Sequence, residues 1–139
     1  MTFTIDGEPV GKARPRIYHT NGTTRAVTPE KTKEYERKVK LAYWGQFGHG
    51  MLYLTEAISV EIVAGYKIPQ SCSKKKRAAM VAGEIRPTKK PDIDNVIKSI
   101  LDALNGIAYS DDKQVVSVSA TKYYAEEPKT IVIIKEVAE

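Results

Sequence analysis

One acidic segment carries the residue types that could do chemistry. The stretch from Lys90 to Asp112, KPDIDNVIKSILDALNGIAYSDD, holds five aspartates in a chain whose formal net charge is +5. A site whose ligands are all carboxylate oxygens favours Mg²⁺ or Mn²⁺ over Zn²⁺. A divalent cation held by such a group can activate water and stabilise the leaving oxygen of a phosphodiester. The segment therefore raises the hypothesis of a metal site that cuts a phosphate backbone.

Each of these acids also has an ordinary structural interpretation. Asp92 precedes a predicted helix, where a carboxylate can cap free N–H groups. Asp94 falls in the first turn, where the helix dipole favours negative charge. Asp94, Lys98 and Asp102 are spaced i, i+4 and i+8, which is typical of weak ion pairs on a helix surface. Helix capping and surface charge thus remain an alternative to metal binding.

The predicted geometry favours a site over separate structural roles. The helix that follows Asp94 rises roughly 18 Å, and residues 106–112 span roughly 20 Å if they are extended. If the chain doubles back after Gly106, Asp111 or Asp112 returns to the level of Asp92 and Asp94. Three carboxylates at one point repel one another unless a cation lies among them. Lys98 would lie close by, where a lysine can offset charge on the phosphate or help to move protons.

The elements that must position these residues form one predicted α+β domain over residues 1–139, with a mixed β-sheet packed with helices. A helix over 93–105 follows from the apolar spacing of Ile93, Ile97, Ile100, Leu101 and Leu104. Another helix should begin with Thr28 as N-cap and Pro29 at the first helical position, and end at the glycines after Trp44. Ser73 should begin a short third helix. Strands are predicted at 2–6, 56–68, 114–124 and 130–137, with a tight turn at Asn21-Gly22.

The charge of the chain indicates a polyanionic partner such as nucleic acid, because the isoelectric point is near 9.2. A basic surface that is merely solvated, with no such partner, would give the same isoelectric point. The basic side chains that we expect to contact DNA phosphates are Lys12, Arg14, Arg16, Lys74, Lys75, Lys76, Arg77, Lys89 and Lys90. The tyrosines could include one that stacks on a base, although core or rim packing is favoured for most of them.

Composition excludes several other classes of protein. A single cysteine and two histidines argue against a structural zinc site and an internal disulfide, which fits a reducing cytoplasm. No apolar run approaches the ~20 residues of a membrane-spanning helix. The N-terminal residues carry no signal-peptide pattern. We therefore expect a cytoplasmic protein that has no membrane partner.

The acidic segment resembles the signature of a known family. In KPDIDNVIKSILDALNGIAYSDDKQV the pattern D-x-D-N, a lysine four residues after the second aspartate, D-A-L and D-D-x-Q-V resembles that of the RusA-type Holliday junction resolvases of bacteria and their phages. The segments GEPVGKARPR and TPEKTKEYERKV resemble the phage-type branch. The resemblance implies a RusA-like fold and a homodimer. It also implies a Mg²⁺-dependent endonuclease, with Mn²⁺ as a possible substitute, that resolves four-way DNA junctions by paired symmetric nicks.

The resemblance also assigns roles to individual residues. It makes Asp92, Asp94 and Asp112 the catalytic, metal-binding carboxylates and Lys98 the catalytic lysine. Asn95 and Asp111 match supporting positions next to these groups. Some members have an arginine-rich run before the first aspartate, whereas this chain has TKKP. Two other hypotheses stay open: a nuclease with the same site that acts on flaps or other branched DNA, and a non-catalytic basic DNA-binding protein. Dependence on Mg²⁺ separates the enzyme from the binding protein.

Overall fold

The computed structural model describes residues 1–50 and 54–137. Along the chain it contains β1 (Thr2–Asp6), β2 (Arg16–Thr20), β3 (Thr23–Val27), α1 (Glu30–Phe47), β4 (Ile58–Lys67), α2 (Lys74–Val81), α3 (Ile93–Leu104), β5 (Val115–Ala125) and β6 (Lys129–Glu136). A short 3-10 turn, Asp112–Gln114, precedes β5. The predicted α+β class is confirmed.

Four strands form a mixed sheet in the order β1-β6-β4-β5. Strand β6 is antiparallel to both β1 and β4, whereas β4 and β5 are parallel. Parallel neighbours need a long crossover connection, and here that connection carries α2, the loop 84–91 and α3. The acidic segment therefore lies within the crossover. The C-terminal ends of the parallel strands β4 and β5 lie side by side at the same end of the sheet.

The core sets the rotation of α3. This helix buries Val96, Ser99, Ile100, Ala103 and Leu104, and it packs against α1, whose Tyr35, Val39 and Tyr43 belong to the same apolar cluster. Because one stripe of α3 is buried, Asp94 and Lys98 must lie on its exposed side. The predicted amphipathic helix is thus confirmed, with Asn105 as its C-cap residue.

Most boundaries differ from the predictions by one or two residues. Strand β4 covers 58–67 where 56–68 was predicted, and β5 and β6 are each shifted by one residue at either end. Helix α1 starts at Glu30, because Pro29 has an extended ψ of 144° and occupies the N-cap position that was predicted for Thr28. The first of the glycines expected to end α1, Gly45, lies inside the helix, and Gly48 is the C-cap. Ser73 caps α2 as predicted, since its hydroxyl accepts a hydrogen bond from the Lys76 N–H at 3.2 Å.

Strands β2 and β3 form a separate two-stranded hairpin. Its turn residues Asn21 and Gly22 have φ values of +49° and +77°, as the tight two-residue turn predicted for this dipeptide requires. None of the described helices has the length and apolar character needed to cross a bilayer.

Gly65 in β4 allows a close backbone approach that a larger residue would disturb. A Cβ at this position would lie 2.7 Å from the carbonyl oxygen of Lys129. We expect Gly65→Ala to lower the free energy of unfolding by roughly 1–3 kcal/mol, because the sheet backbone must shift. Gly45 is the matched control, since a Cβ there meets nothing within 4 Å. Gly45→Ala should raise the free energy of unfolding by about 0.5–1 kcal/mol. Urea denaturation measures both, and equal effects of the two variants would contradict the close approach at Gly65.

Candidate active site at the start of α3

Two carboxylates at the N-terminal end of α3 are not used by the fold. Asp92 occupies the N-cap position, yet its side chain accepts no capping hydrogen bond. Asp94 lies in the first turn. Both residues are exposed, and neither takes part in an ion pair within the described ranges. Helix capping therefore does not account for Asp92, which was the first of the structural alternatives.

The Asp111-Asp112 pair consists of one carboxylate that caps a turn and one that is exposed. Asp111 caps the turn before β5: its carboxylate accepts a hydrogen bond from the Lys113 N–H at 2.9 Å, and Gln114 Oε1 accepts one from the Asp111 N–H at 2.8 Å. The bond from the Lys113 N–H lowers the pKa of Asp111. The neighbouring Asp111 raises the pKa of Asp112 through a side-chain hydrogen bond and like charge. Of the two, Asp112 is the exposed carboxylate.

The path from α3 to Asp112 is compact rather than extended. The Gly106 N–H donates to the carbonyl of Tyr109, and the Ile107 N–H donates to that of Leu104, both at 2.9 Å. The Tyr109 hydroxyl then donates to the Leu101 carbonyl at 2.6 Å. The segment after α3 is therefore not extended, whereas the span of roughly 20 Å assumed that it was.

In the described part of the chain, no three side chains of Asp, Glu, His or Cys come close enough together to hold a metal ion. The predicted meeting of Asp92, Asp94 and Asp111 or Asp112 at one point is thus not found among the described residues. Burial first, and the negative charge of Asp112 second, raise the pKa of the Tyr109 hydroxyl. The metal-binding role of the three aspartates stays a prediction.

Lys98 lies exposed one turn along the helix from Asp94, and it makes no ion pair in the described ranges. Asp102 pairs instead with Lys12 Nζ at 3.4 Å, and the same ammonium group lies 2.6 Å from Glu36. Burial opposes the charge of Lys12, but the two carboxylates outweigh it and raise its pKa. Within the described ranges, the ion pairs that helical spacing suggested for Asp94, Lys98 and Asp102 are therefore not formed.

The segment before the hairpin is fastened directly to α3. The Ser99 hydroxyl donates to the Val10 carbonyl at 2.8 Å, and the Lys12 N–H donates to the Asn95 carbonyl at 2.9 Å. Gly11 permits this contact, because a Cβ there would lie 2.9 Å from the Cβ of Pro91 and 3.0 Å from that of Asn95. An open cleft of about 480 Å³ runs between this segment and the start of α3, and Asp92 and Asn95 line it.

Tyr66 holds the backbone that leads into Asp92. Its ring is buried in the core, and its hydroxyl donates to the Pro91 carbonyl. Burial first, and the negative charge of Asp92 second, raise the pKa of Tyr66 to about 12. The hydroxyl is therefore protonated at neutral pH and remains a donor. The position of Asp92 thus depends on a residue at the end of β4.

The basic loop 84–91 is held against the end of β5. The guanidinium of Arg86 lies 3.8 Å from the centre of the Tyr123 ring, and Arg86 Nη1 donates to the Lys122 carbonyl at 3.1 Å. Lys122 Nζ in turn donates to the Lys89 carbonyl at 2.7 Å. These contacts fix the course of the loop that leads into Asp92. Sequence reasoning missed Tyr66, Lys122 and Tyr123, because no local spacing links them to the loop they contact.

The side chains predicted to contact DNA lie in different settings. Lys89 and Lys90 are exposed directly before Asp92, and Lys74, Lys75 and Lys76 are exposed at the start of α2. Arg14 and Arg16 are exposed at the base of the hairpin. Arg77 lies 4.0 Å from Glu126, and Lys12 is paired as described above. Core packing is confirmed for Tyr35, Tyr43, Tyr66 and Tyr109, whereas Tyr53 lies outside the described residues.

Comparisons with known proteins place this geometry in context. The family model described as Endodeoxyribonuclease RusA matches residues 6–135. An uncharacterized protein, YqaN, of Bacillus subtilis (strain 168) is 38% identical over 140 residues, which cover 99% of this chain and 97% of the relative. Both matches span the acidic segment and the flanking strands.

The hydrogen bond from Tyr66 to the Pro91 carbonyl can be tested by removing one oxygen atom. Tyr66→Phe should lower the free energy of unfolding by about 1 kcal/mol and speed amide hydrogen exchange in residues 92–94, because the start of α3 loses its anchor. Tyr43→Phe is the control, since the Tyr43 hydroxyl has no hydrogen-bond partner among the described residues. Unchanged exchange in Tyr66→Phe would show that other contacts hold this end of the helix.

Proposed function

The chain belongs to the RusA endodeoxyribonuclease family, and from this premise we propose that it is a Mg²⁺-dependent endonuclease that resolves four-way DNA junctions by paired, symmetric nicks. RusA-family nucleases act on branched DNA and generally depend on a divalent metal. The observation that carries the proposal is the pair of exposed carboxylates at the start of α3. Asp92 and Asp94 serve neither a cap nor an ion pair in the described chain, and lysines directly precede them.

The donor set suits a hard divalent cation. Mg²⁺ is commonly bound by one or two carboxylates, with water and substrate phosphate completing its coordination. Asp92 and Asp94 would supply that pair from one end of α3, and Mn²⁺ takes the same oxygen ligands. The bound metal supplies an activated water and charge stabilisation at the phosphate. Asp112, exposed on the turn before β5, is the third carboxylate of the proposal on the resemblance alone.

The remaining roles belong to neighbouring side chains. Lys98, whose ammonium group pairs with no carboxylate of the described residues, stabilises negative charge on the phosphate or moves a proton at the leaving oxygen. Asn95 lines the cleft beside Asp92 and orients the carboxylates. Asp111 holds the turn that presents Asp112.

The DNA backbone lies along the basic surface that leads to Asp92. Lys89, Lys90 and the lysines of α2 contact phosphates there, and Arg14 and Arg16 do so at the base of the hairpin. Lys12 contributes chiefly by fastening its own segment, because Glu36 and Asp102 already share its charge. This division separates residues that bind DNA from residues that position the site.

Two symmetric nicks require two sites related by a two-fold axis, which a homodimer provides. Each protomer then contributes one start of α3. The proposal therefore includes a dimer as the active form.

The decisive experiment compares metal-dependent cutting in two aspartate variants. The wild-type protein should nick a labelled synthetic four-way junction in Mg²⁺ and not in chelator. Asp94→Asn should slow nicking roughly 100-fold or more, because the metal loses a charged ligand, and should still bind the junction. Asp6→Asn is the matched control, since Asp6 is exposed on β1 and outside the candidate site.

Three results would contradict parts of this proposal. Tight junction binding without nicks under Mg²⁺ or Mn²⁺ would leave a non-catalytic DNA-binding protein. Cutting of flaps in preference to four-way junctions would keep the site and change the substrate. Equal activity of Asp94→Asn and wild type would remove Asp94 from the site.

A further inference from the structure

The side chains of the β2–β3 hairpin are not buried against any other described element of the fold. Residues 13–26 are all exposed, and they include Ile17 and Tyr18 with 64% and 49% of their surface accessible. A two-stranded hairpin on its own is marginally stable in water. Large exposed side chains on such an element indicate a surface that binds a ligand or another macromolecule.

The charge of the hairpin indicates a polyanion. Residues 9–29 contain no aspartate or glutamate, whereas Arg14, Arg16 and Arg25 lie on or beside the two strands. None of these arginines takes part in an ion pair within the described ranges. A second copy of a chain with net charge +5 is a poorer match for this surface than nucleic acid.

One face of the hairpin carries the groups that would recognise a nucleotide. Cross-strand partners share a face of an antiparallel pair. The register places Tyr18 opposite Arg25, Arg16 opposite Val27 and Thr20 opposite Thr23. That face is concave and carries an open hollow of about 520 Å³, lined by Tyr18, Thr20, Thr23, Arg25 and Val27. The opposite face carries Ile17, His19, Thr24 and Ala26, and it has no arginine.

The base of the hairpin leads into the candidate active site. The segment before β2 is bonded to α3 through the Lys12 N–H and the Asn95 carbonyl. The Ala13 N–H also donates to the Thr32 hydroxyl at 3.3 Å, at the start of α1. The hairpin therefore extends from a fixed point beside Asp92 and Asn95. DNA held on the hairpin would be continuous with DNA at the carboxylates.

We propose that the concave face of the hairpin binds an unstacked nucleotide of branched DNA, with the Tyr18 ring against the base and Arg16 and Arg25 on the flanking phosphates. In the open form of a four-way junction, nucleotides at the branch lack part of their stacking, and an aromatic ring can replace it. Arginine is suited to the phosphates because its guanidinium donates in pairs. The inference rests on the proposed function for the identity of the nucleic acid, but it concerns binding and not cutting.

Two leucine substitutions on opposite faces test this assignment. Tyr18→Leu removes the ring from the concave face, and Ile17→Leu places the same residue on the other face as a control. With labelled DNA in chelator, Tyr18→Leu should raise the Kd for a four-way junction about fivefold or more and leave the Kd for plain duplex within about twofold. Tyr18→Phe should retain wild-type affinity, since the ring remains.

The role of Arg25 has a separate readout. Arg25→Gln should weaken junction binding and reduce the slope of log Kd against log salt concentration by about 1, because one phosphate contact is lost. If Tyr18→Leu does not fold, Arg25→Gln still tests whether the concave face of the hairpin binds DNA. Arg25→Gln with an unchanged salt slope would overturn the phosphate contact.

The other outcomes are equally decisive. Equal effects of Tyr18→Leu and Ile17→Leu, an equal loss on duplex, or failure of the wild type to bind the junction would overturn the proposal. A change in sedimentation of Tyr18→Leu would show that the hairpin binds a second copy of the chain. Junction binding lost in Tyr18→Leu while wild type never nicks would keep the hairpin assignment and overturn the proposed nuclease.

Discussion

The burial of one side of α3 is the constraint on which the candidate site depends. Val96, Ile100, Ala103 and Leu104 are fully enclosed by the core, so the helix cannot rotate without exposing them to water. That fixed rotation directs Asp94 and Lys98 outward. The hydrophobic effect thus orients the polar groups, although none of the apolar residues touches the chemistry. The Asp92 carboxylate, which accepts no capping hydrogen bond, lies with Asp94 at the exposed N-terminal end of α3.

Two further contacts connect this helix to the rest of the molecule. From one side, Tyr66 at the end of β4 bonds the Pro91 carbonyl. From the other, the Val10 and Lys12 backbone bonds to Ser99 and Asn95. The sheet and the segment before the hairpin are therefore both joined to α3 or to the residue before its N-cap, and Arg86 and Lys122 hold the basic loop 84–91 against the end of β5. The site is built from parts of the chain that are distant in sequence.

The predictions succeeded where the signal is local and failed where it depends on the path of the chain. The apolar spacing of α3, the Asn21-Gly22 turn and the Ser73 cap each involve residues within a few positions of one another, and each was found as predicted. A group of three carboxylates around Asp92 and Asp94 was not found among the described residues, and hydrogen bonds within residues 104–109 fold the segment after α3 into tight turns. The assumption that residues 106–112 are extended was therefore wrong for residues 106–109. The boundary at Pro29 failed for a similar reason, since ψ at a single residue decides where the helix starts.

The sequence by itself determined the α+β class, the helix that carries Asp94 and Lys98, the excess of positive charge and the resemblance to RusA-type nucleases. These follow from periodicity, composition and a motif, which are properties of neighbouring residues. Only the tertiary structure decided that the Asp92 side chain accepts no capping hydrogen bond and that Asp111 caps the turn before β5. It also decided that Lys12 pairs with Glu36 and Asp102. It also brought Tyr66 to Pro91 and left the hairpin exposed beside the site. Such contacts join residues far apart in the chain, so they depend on how the whole sheet and its helices pack.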